Sequence, residues 1–444
     1  MPRTAVFTIV SNNYLAYART LTESLGKRNP SFERFICLVD VAEDGLAAED
    51  GVRIVEASAI GVPHFSDMAF RYDVMEFNTA IKPFMFRWLL EQQGFDRAIY
   101  LDPDIFVYRP LAEVEALLDG GASAVLTPHI MRPLEDGGKP DDHDILQSGV
   151  YNLGFAAMTR APEALDFLAW WGRRLQFQCY SDVASNLFTD QRWCDFAPSF
   201  MEKLAILRHP GYNVAYWNLA HRRIGIGTDG TATSNGEPLV FFHFSGLRHE
   251  EPRLVSKHQQ RLKWADLGDA QALFSAYRQA LLDNGWADTR SRPYAYDAVE
   301  GIRLSGPIRG LYRKRYPRHV PAENRLDGDF IFRMCNQRVD LPAARGRVIV
   351  TELMKHVHES RADLRAAFSL ETRDGVMAFA RWFEATPCRE YGLDPRFTRQ
   401  ALIGQSRVAP LADAARDPAP NEGRSLPYRL WRKARKRMLG LGVR

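Results

Sequence analysis

The chain has 444 residues, of which 46% are hydrophobic and 25% charged, and a net charge of +4. That length accommodates two domains or one large domain with an appendage, the composition is ordinary for a globular protein, and so mild a charge argues against nucleic acid as a partner. No apolar run approaches the ~20 residues of a membrane span, and five scattered cysteines without a Cys-x-x-Cys suggest reduced thiols rather than a disulfide framework or zinc site.

The amino terminus lacks a signal-peptide apolar region, which predicts a cytoplasmic chain. Residues 5–10 form an unbroken apolar run, the pattern of a strand covered on both faces. Ser11-Asn12-Asn13-Tyr14 follows, then a helix with Leu15, Ala18, Leu21 and Leu25 at helical spacing. Residues 35–40 read as a second strand ending in Asp40, and residues 52–55 as a third. This β-α-β alternation predicts an α/β fold with an open, mainly parallel sheet, whose ligands bind beyond the carboxyl ends of the strands. Ser11, Asn13, Tyr14 and Asp40 fall at such ends.

Pro83 suits the first turn of a helix that runs to about residue 93. Lys82 then sits at a helix amino terminus, where the dipole disfavours a cation; a lysine placed there points to an anionic partner such as a phosphate. The helix leads into Ile99-Tyr100-Leu101-Asp102-Pro103-Asp104-Ile105-Phe106-Val107. Side chains two apart in an extended segment share a side, so Asp102 and Asp104 can converge on one point. Two close carboxylates between apolar flanks are costly unless a hard divalent cation lies between them.

Residues 123–127 read as a strand, 132–144 as a Pro-, Gly- and Asp-rich loop and candidate lid, and 148–158 as a strand carrying Asn152 and Gly154. A helix is expected over 162–177. Asp190-Gln191 lies in an aromatic setting, residues 211–218 are dense in aromatics and amides, and residues 239–246 form a late strand ending in His243 and Gly246. Helical spacing predicts a helix over 269–284 and more helices between 329 and 402.

Residues 4 to about 250 resemble the GT-A glycosyltransferases, in particular the glycogenin-like and lipopolysaccharide-galactosyltransferase-like branch. The motifs that carry the resemblance are Ser11-Asn12-Asn13-Tyr14, Ile99 to Asp104, Tyr151-Asn152-Leu153-Gly154, Asp190-Gln191 and His243-Phe244-Ser245-Gly246. The resemblance implies a GT-A fold with a helical C-terminal region, and metal ligands Asp102, Asp104 and His243 holding Mn²⁺ (or Mg²⁺) on a nucleotide diphosphate. It implies sugar-nucleotide contacts at Ser11, Asn13, Tyr14, Asp40, Lys82, Asn152, Gly154 and Gly246, with Asp190 and Gln191 beside the anomeric carbon. The lysine-proline-tryptophan that often follows the late His-x-Gly is absent, leaving Lys82, Arg248 and Lys257 as candidate diphosphate cations.

The expected organisation is a catalytic domain over 1–288, a helical appendage with Pro-rich linkers over 289–424, and a basic amphipathic tail over 425–444 suited to an anionic membrane surface. The expected activity is metal-dependent transfer from a nucleotide-sugar, UDP-linked, to a glycan or lipid-linked acceptor in bacterial surface polysaccharide synthesis, with the chain peripheral on the inner membrane face. A non-catalytic glycan-binding protein on the same frame and a sugar nucleotidyltransferase are the rival readings.

Overall fold

A computed structural model describes residues 2–43, 51–320, 325–346 and 348–398; the expected tail and the linker before it lie outside the described residues. Strands β1 (Thr4–Val10), β2 (Glu33–Leu38), β3 (Val52–Glu56), β4 (Arg97–Leu101), β6 (Ala124–Pro128) and β7 (Tyr151–Thr159), with Leu204–Ile206, form one seven-stranded sheet; a short β5 (Ile105–Val107) lies outside it. The sheet order is Leu204–Ile206, β6, β7, β4, β1, β2, β3, and only β7 runs against its neighbours. The sheet is open and mainly parallel, as the β-α-β alternation of the sequence implies. Alternation along β1 sorts its side chains onto two faces. Phe7 packs with Phe35 and Tyr100 on one face, and Val6 with Ile99 and Phe155 on the other.

Helix α1 (Leu15–Arg28) follows the Ser11-Asn12-Asn13-Tyr14 corner. Beyond β3, α2 (Phe65–Arg71) and α3 (Val74–Ala80) come in succession, the latter opened by a capping box of Asp73 and Glu76. Pro83 lies in the first turn of α4 (Lys82–Arg87), which continues as a π turn over Trp88–Gln92.

The apolar stretch around Asp102 is two strands rather than one. β4 stops at Leu101, and the Asp-Pro-Asp segment turns: Asp102 N donates to Gly154 O at 2.8 Å and Ile105 N to Asp102 O at 3.1 Å. β5 then pairs antiparallel with Phe241–His243, which sets His243 opposite Ile105. The late strand is thereby delivered to the carboxyl end of β4.

The C-terminal helices include Gly306–Arg315, Gly328–Asn336, Glu352–Ser360 and Arg373–Ala385. Ile331, Leu353, Phe379 and Phe383 build their core, which also takes in Phe70 of α2. Charged side chains tie these helices to α2 and α3. Arg309 donates to the carbonyls of Ala69 and Phe70 at 2.8 and 2.7 Å, Tyr312 bonds Asp67, and Arg313 pairs with Glu76. Asp67 in turn holds Arg71 at 3.1 Å, a side chain with no exposed surface. Among the described residues no helix is long and apolar enough to cross a membrane.

Candidate functional site

Asp102, Asp104 and His243 offer ligand atoms that all lie within 4.8 Å of one another. His243 Nε2 is 2.9 Å from Asp104 Oδ1 and 3.5 Å from Asp102 Oδ2. Burial pushes the Asp102 carboxyl above its usual range, outweighing Lys82 and His243. For His243 burial acts downward, yet Asp104 and Asp102 together raise the imidazole above its ordinary value. Two carboxylates and one imidazole sharing a proton are a donor set that a divalent cation can replace that proton in, with Mn²⁺ suited to mixed O/N ligands.

The orientation of His243 is fixed from behind. Asn213 donates through Nδ2 to Thr127 Oγ1 and to Asn152 Oδ1, both at 2.9 Å. Its Oδ1 is therefore left to face His243 Nδ1 at 3.3 Å. Nδ1 is thereby set as a donor to Asn213, and Nε2, which shares the cluster's proton with Asp104, is the nitrogen that faces the aspartates. Gly154 makes room for the ring, since a Cβ there would lie 2.4 Å from His243 Cε1. Thus what approaches Gly154 is the histidine itself. Gly246 is needed for another reason: its φ is +73°, and a Cβ would meet Ser256 Oγ at 2.4 Å.

The same buried network reaches Asp190 and Gln191. Asn152 Nδ2 lies 3.1 Å from His129 Nε2 and 3.4 Å from Gln191 Oε1. Gln191 accepts from Leu153 N at 3.0 Å and donates to Ser148 O at 2.8 Å. Asp190 accepts from Lys82 Nζ at 2.5 Å and from Thr189 Oγ1 at 3.1 Å, and Lys82 also donates to Leu153 O at 2.8 Å. Lys82 lies over the Tyr100 ring, 4.2 Å from its centre, and the Tyr100 hydroxyl bonds Asp102. The anion that Lys82 meets in this structure is thus the Asp190 carboxylate.

At the ends of β1 and β2, Asp40 is buried and its oxygens accept from the amides of Asn12, Val41 and Ala295 at 3.1, 3.0 and 2.9 Å. Ser11 Oγ donates to Asn13 Oδ1 at 2.7 Å. Tyr14 is 42% exposed and stacks on Tyr17 at 4.7 Å. The aromatic 211–218 segment reaches the triad through Trp217, whose ring meets His243 edge to face with centres 5.1 Å apart. Arg248 and Lys257 follow on the segment after Gly246, where Lys257 N donates to Gly246 O at 3.0 Å. The loop expected over 132–144 turns into a helix at Asp142–Ser148, and Arg261 holds its Asp136 at 2.7 Å.

Sequence reasoning missed Asn213 and His129 as supports of the site. The amide- and aromatic-rich 211–218 stretch was the local signal for Asn213, whose positive φ of +50° only the fold shows. His129 had none, because its partners come from Asn152 and Trp217 far along the chain.

No family model matches the chain. It is 26% identical over 186 residues to YfnF and 24% identical over 263 residues to YfnD, both uncharacterized proteins of Bacillus subtilis (strain 168). These matches cover 40% and 58% of this chain; the first spans only 58% of YfnF and the second 80% of YfnD. Among solved structures it is similar to the galactosyltransferase LgtC in complex with donor and acceptor sugar analogs, at 14% identity over 62% of this chain and 95% of that one. It is likewise similar to the glycosyltransferase GlyE of Streptococcus pneumoniae TIGR4, at 14% identity over 68% and 67% of the two chains. Both have a TM-score of 0.38.

Proposed function

We propose that the protein is a metal-dependent glycosyltransferase that moves a sugar from a nucleotide-sugar, UDP-linked, to a glycan or lipid-linked acceptor in bacterial surface polysaccharide synthesis. The observation that carries this reading is the convergence of Asp102, Asp104 and His243 on one point at the carboxyl end of β4. A divalent cation bound there, Mn²⁺ or Mg²⁺, would neutralise the charge that develops on a departing diphosphate. The chain's own part is to hold the ligands: Asn213 sets the His243 tautomer, Gly154 admits its ring, and Tyr100 steadies Asp102.

In this reading the nucleoside rests at the corner formed by Ser11, Asn13, Tyr14 and Asp40, and Gly246 serves the diphospho-sugar, while Asn152 and Gly154 act from behind His243. Asp190 is engaged by Lys82 and Thr189, and Gln191 by backbone on both sides of its amide. Neither stands free as a strong base, which supports transfer with retention, a course that needs none. In this reading residues 1–288 carry catalysis, 289–424 are the appendage, and 425–444 rest on the cytoplasmic face of an anionic membrane.

A thermal-shift screen across UDP-, GDP- and dTDP-sugars with Mn²⁺, followed by donor hydrolysis with and without EDTA, tests the reading. A stabilising sugar nucleotide that is hydrolysed only with metal is the expected result. Binding of sugar nucleotide without hydrolysis or transfer would favour the non-catalytic alternative, and no binding at all would end both.

A further inference from the structure

Beside the site lies a cavity of about 220 Å³ whose lining includes Arg132, Asn218, His221, Arg222 and Asn235 and contains no carboxylate. Arg222 is only 4% exposed. Its Nη1 donates to the Tyr212 carbonyl, its Nε has no partner, and among the described residues no acid pairs with it. Burial pushes its guanidinium down to about 10, the only cause acting on it. A buried cation without a counter-charge is costly, a cost that a bound anion would relieve.

The walls are built rather than incidental. Asn218 donates to the carbonyls of His129 and Asn213 at 3.1 and 2.9 Å and accepts from Ala215 N at 3.0 Å. Asn235 donates to His221 O at 2.8 Å and accepts from Arg223 N at 2.7 Å. Both amides are consumed in shaping the cavity. The charged groups left to meet a ligand are the Arg222 and the exposed Arg132 guanidiniums, with His221 beside them in the wall. Two guanidiniums without a carboxylate suit an oxyanion, which an arginine fork binds through paired hydrogen bonds. The cavity is also close to the chemistry: Asn218 bonds Asn213, which bonds His243.

We propose that this cavity is a subsite for an oxyanion, a sugar carboxylate or a phosphate, carried by the acceptor, with Arg222 as its anchor and Arg132 beside it. This rests on the glycosyl-transfer reading. Binding of glucuronate, inorganic phosphate and neutral glucose to the full chain is measured by calorimetry in EDTA at constant ionic strength. Glucuronate or phosphate binds and glucose does not; which anion binds identifies the source. Arg222→Gln removes the binding, and Arg132→Glu, an exposed charge reversal that keeps the fold, weakens it about tenfold or more. Should Arg222→Gln fail to fold, Arg132→Glu carries the test alone. No anion binding, or equal binding in wild type and Arg132→Glu, overturns the proposal. Metal-dependent donor hydrolysis by the wild type is assayed in parallel: its persistence without anion binding sinks the subsite alone, whereas its absence sinks the transfer reading.

Discussion

Two groups of recessed charges in this protein are built on opposite rules. At the seam between α2–α3 and the C-terminal helices, Asp67 faces Arg71 and Glu76 faces Arg313, so every carboxylate meets a guanidinium. At the end of β4, Asp102 and Asp104 stand together with one imidazole and no guanidinium within the cluster. Opposite charges in matched pairs hold elements together, while like charges held side by side need something further to be stable. The seam therefore reads as structure and the β4 end as a binding site, although both lie on buried polar side chains.

The largest contrast comes from removing one carboxylate at each place. Asp102→Asn or Asp104→Asn is expected to lower transfer or donor hydrolysis by ~10³-fold or more, through lost stabilisation of the leaving group. Asparagine still accepts the neighbouring hydrogen bond and relieves repulsion, so the melting temperature should hold or rise. A normal rate in either variant would break the distinction at once.

The reverse holds at the seam. Arg71→Met leaves Asp67 buried without its partner and should cost about 3–5 kcal/mol of stability. Chemical denaturation measures that loss, and turnover per folded molecule should stay near wild type. A loss of turnover with unchanged stability would instead make the seam part of the site.

How far this contrast was readable in the sequence follows from the distances along the chain. The sheet was legible because β1, β2 and β4 are unbroken apolar runs, and the nearness of Asp102 and Asp104 because they sit two apart; His243 joined them only through the resemblance, since the pairing of its strand with β5 that sets it beside them lies in the fold. The seam was not, since a lysine or arginine on a helix gives no sign of a partner over two hundred residues away, as Arg313 has in Glu76. The lysine at the head of α4 shows the same limit. Its position signals an anion, but only the fold shows that Asp190, 108 residues on, is one. Arg222 illustrates a third case: burial, which sequence does not give, is what turns an ordinary arginine into an unmatched charge.

His129 sharpens the comparison, as a titratable group kept neutral within the network behind the triad. Asn152 donates to its Nε2, its Nδ1 has no partner, and burial pushes its pKa from 6.5 to about 4. Between those values the unfolded chain binds the proton and the native protein does not, so stability falls as pH drops through this window. The loss approaches roughly 3 kcal/mol by about pH 4. Denaturation midpoints from pH 7 to pH 4 should show this slope in wild type and lack that part of it in His129→Gln. Identical slopes would mean that His129 is charged in the native network, and that the network tolerates a second cation beside His243.

The smallest effect separates the seam from ordinary surface charge on a single helix. Arg313 and Lys314 are adjacent in Gly306–Arg315, and each meets a carboxylate from another segment. Glu76, the partner of Arg313, has a side chain only 5% exposed; Lys314 and Glu359 are 59% and 40% exposed. Water and salt screen the second pair, so Lys314→Met should cost only about 0–1 kcal/mol, and that cost should vanish between low and ~1 M salt. Arg313→Met strands a recessed Glu76 and also removes the hydrogen bond to Arg71 O, at 2.9 Å. Its cost should be several-fold larger and nearly independent of salt, because little solvent reaches the pair. Urea denaturation of both variants at the two salt concentrations measures the difference. Equal, salt-sensitive costs would show that the seam is held by apolar packing around Phe70 rather than by its matched charges.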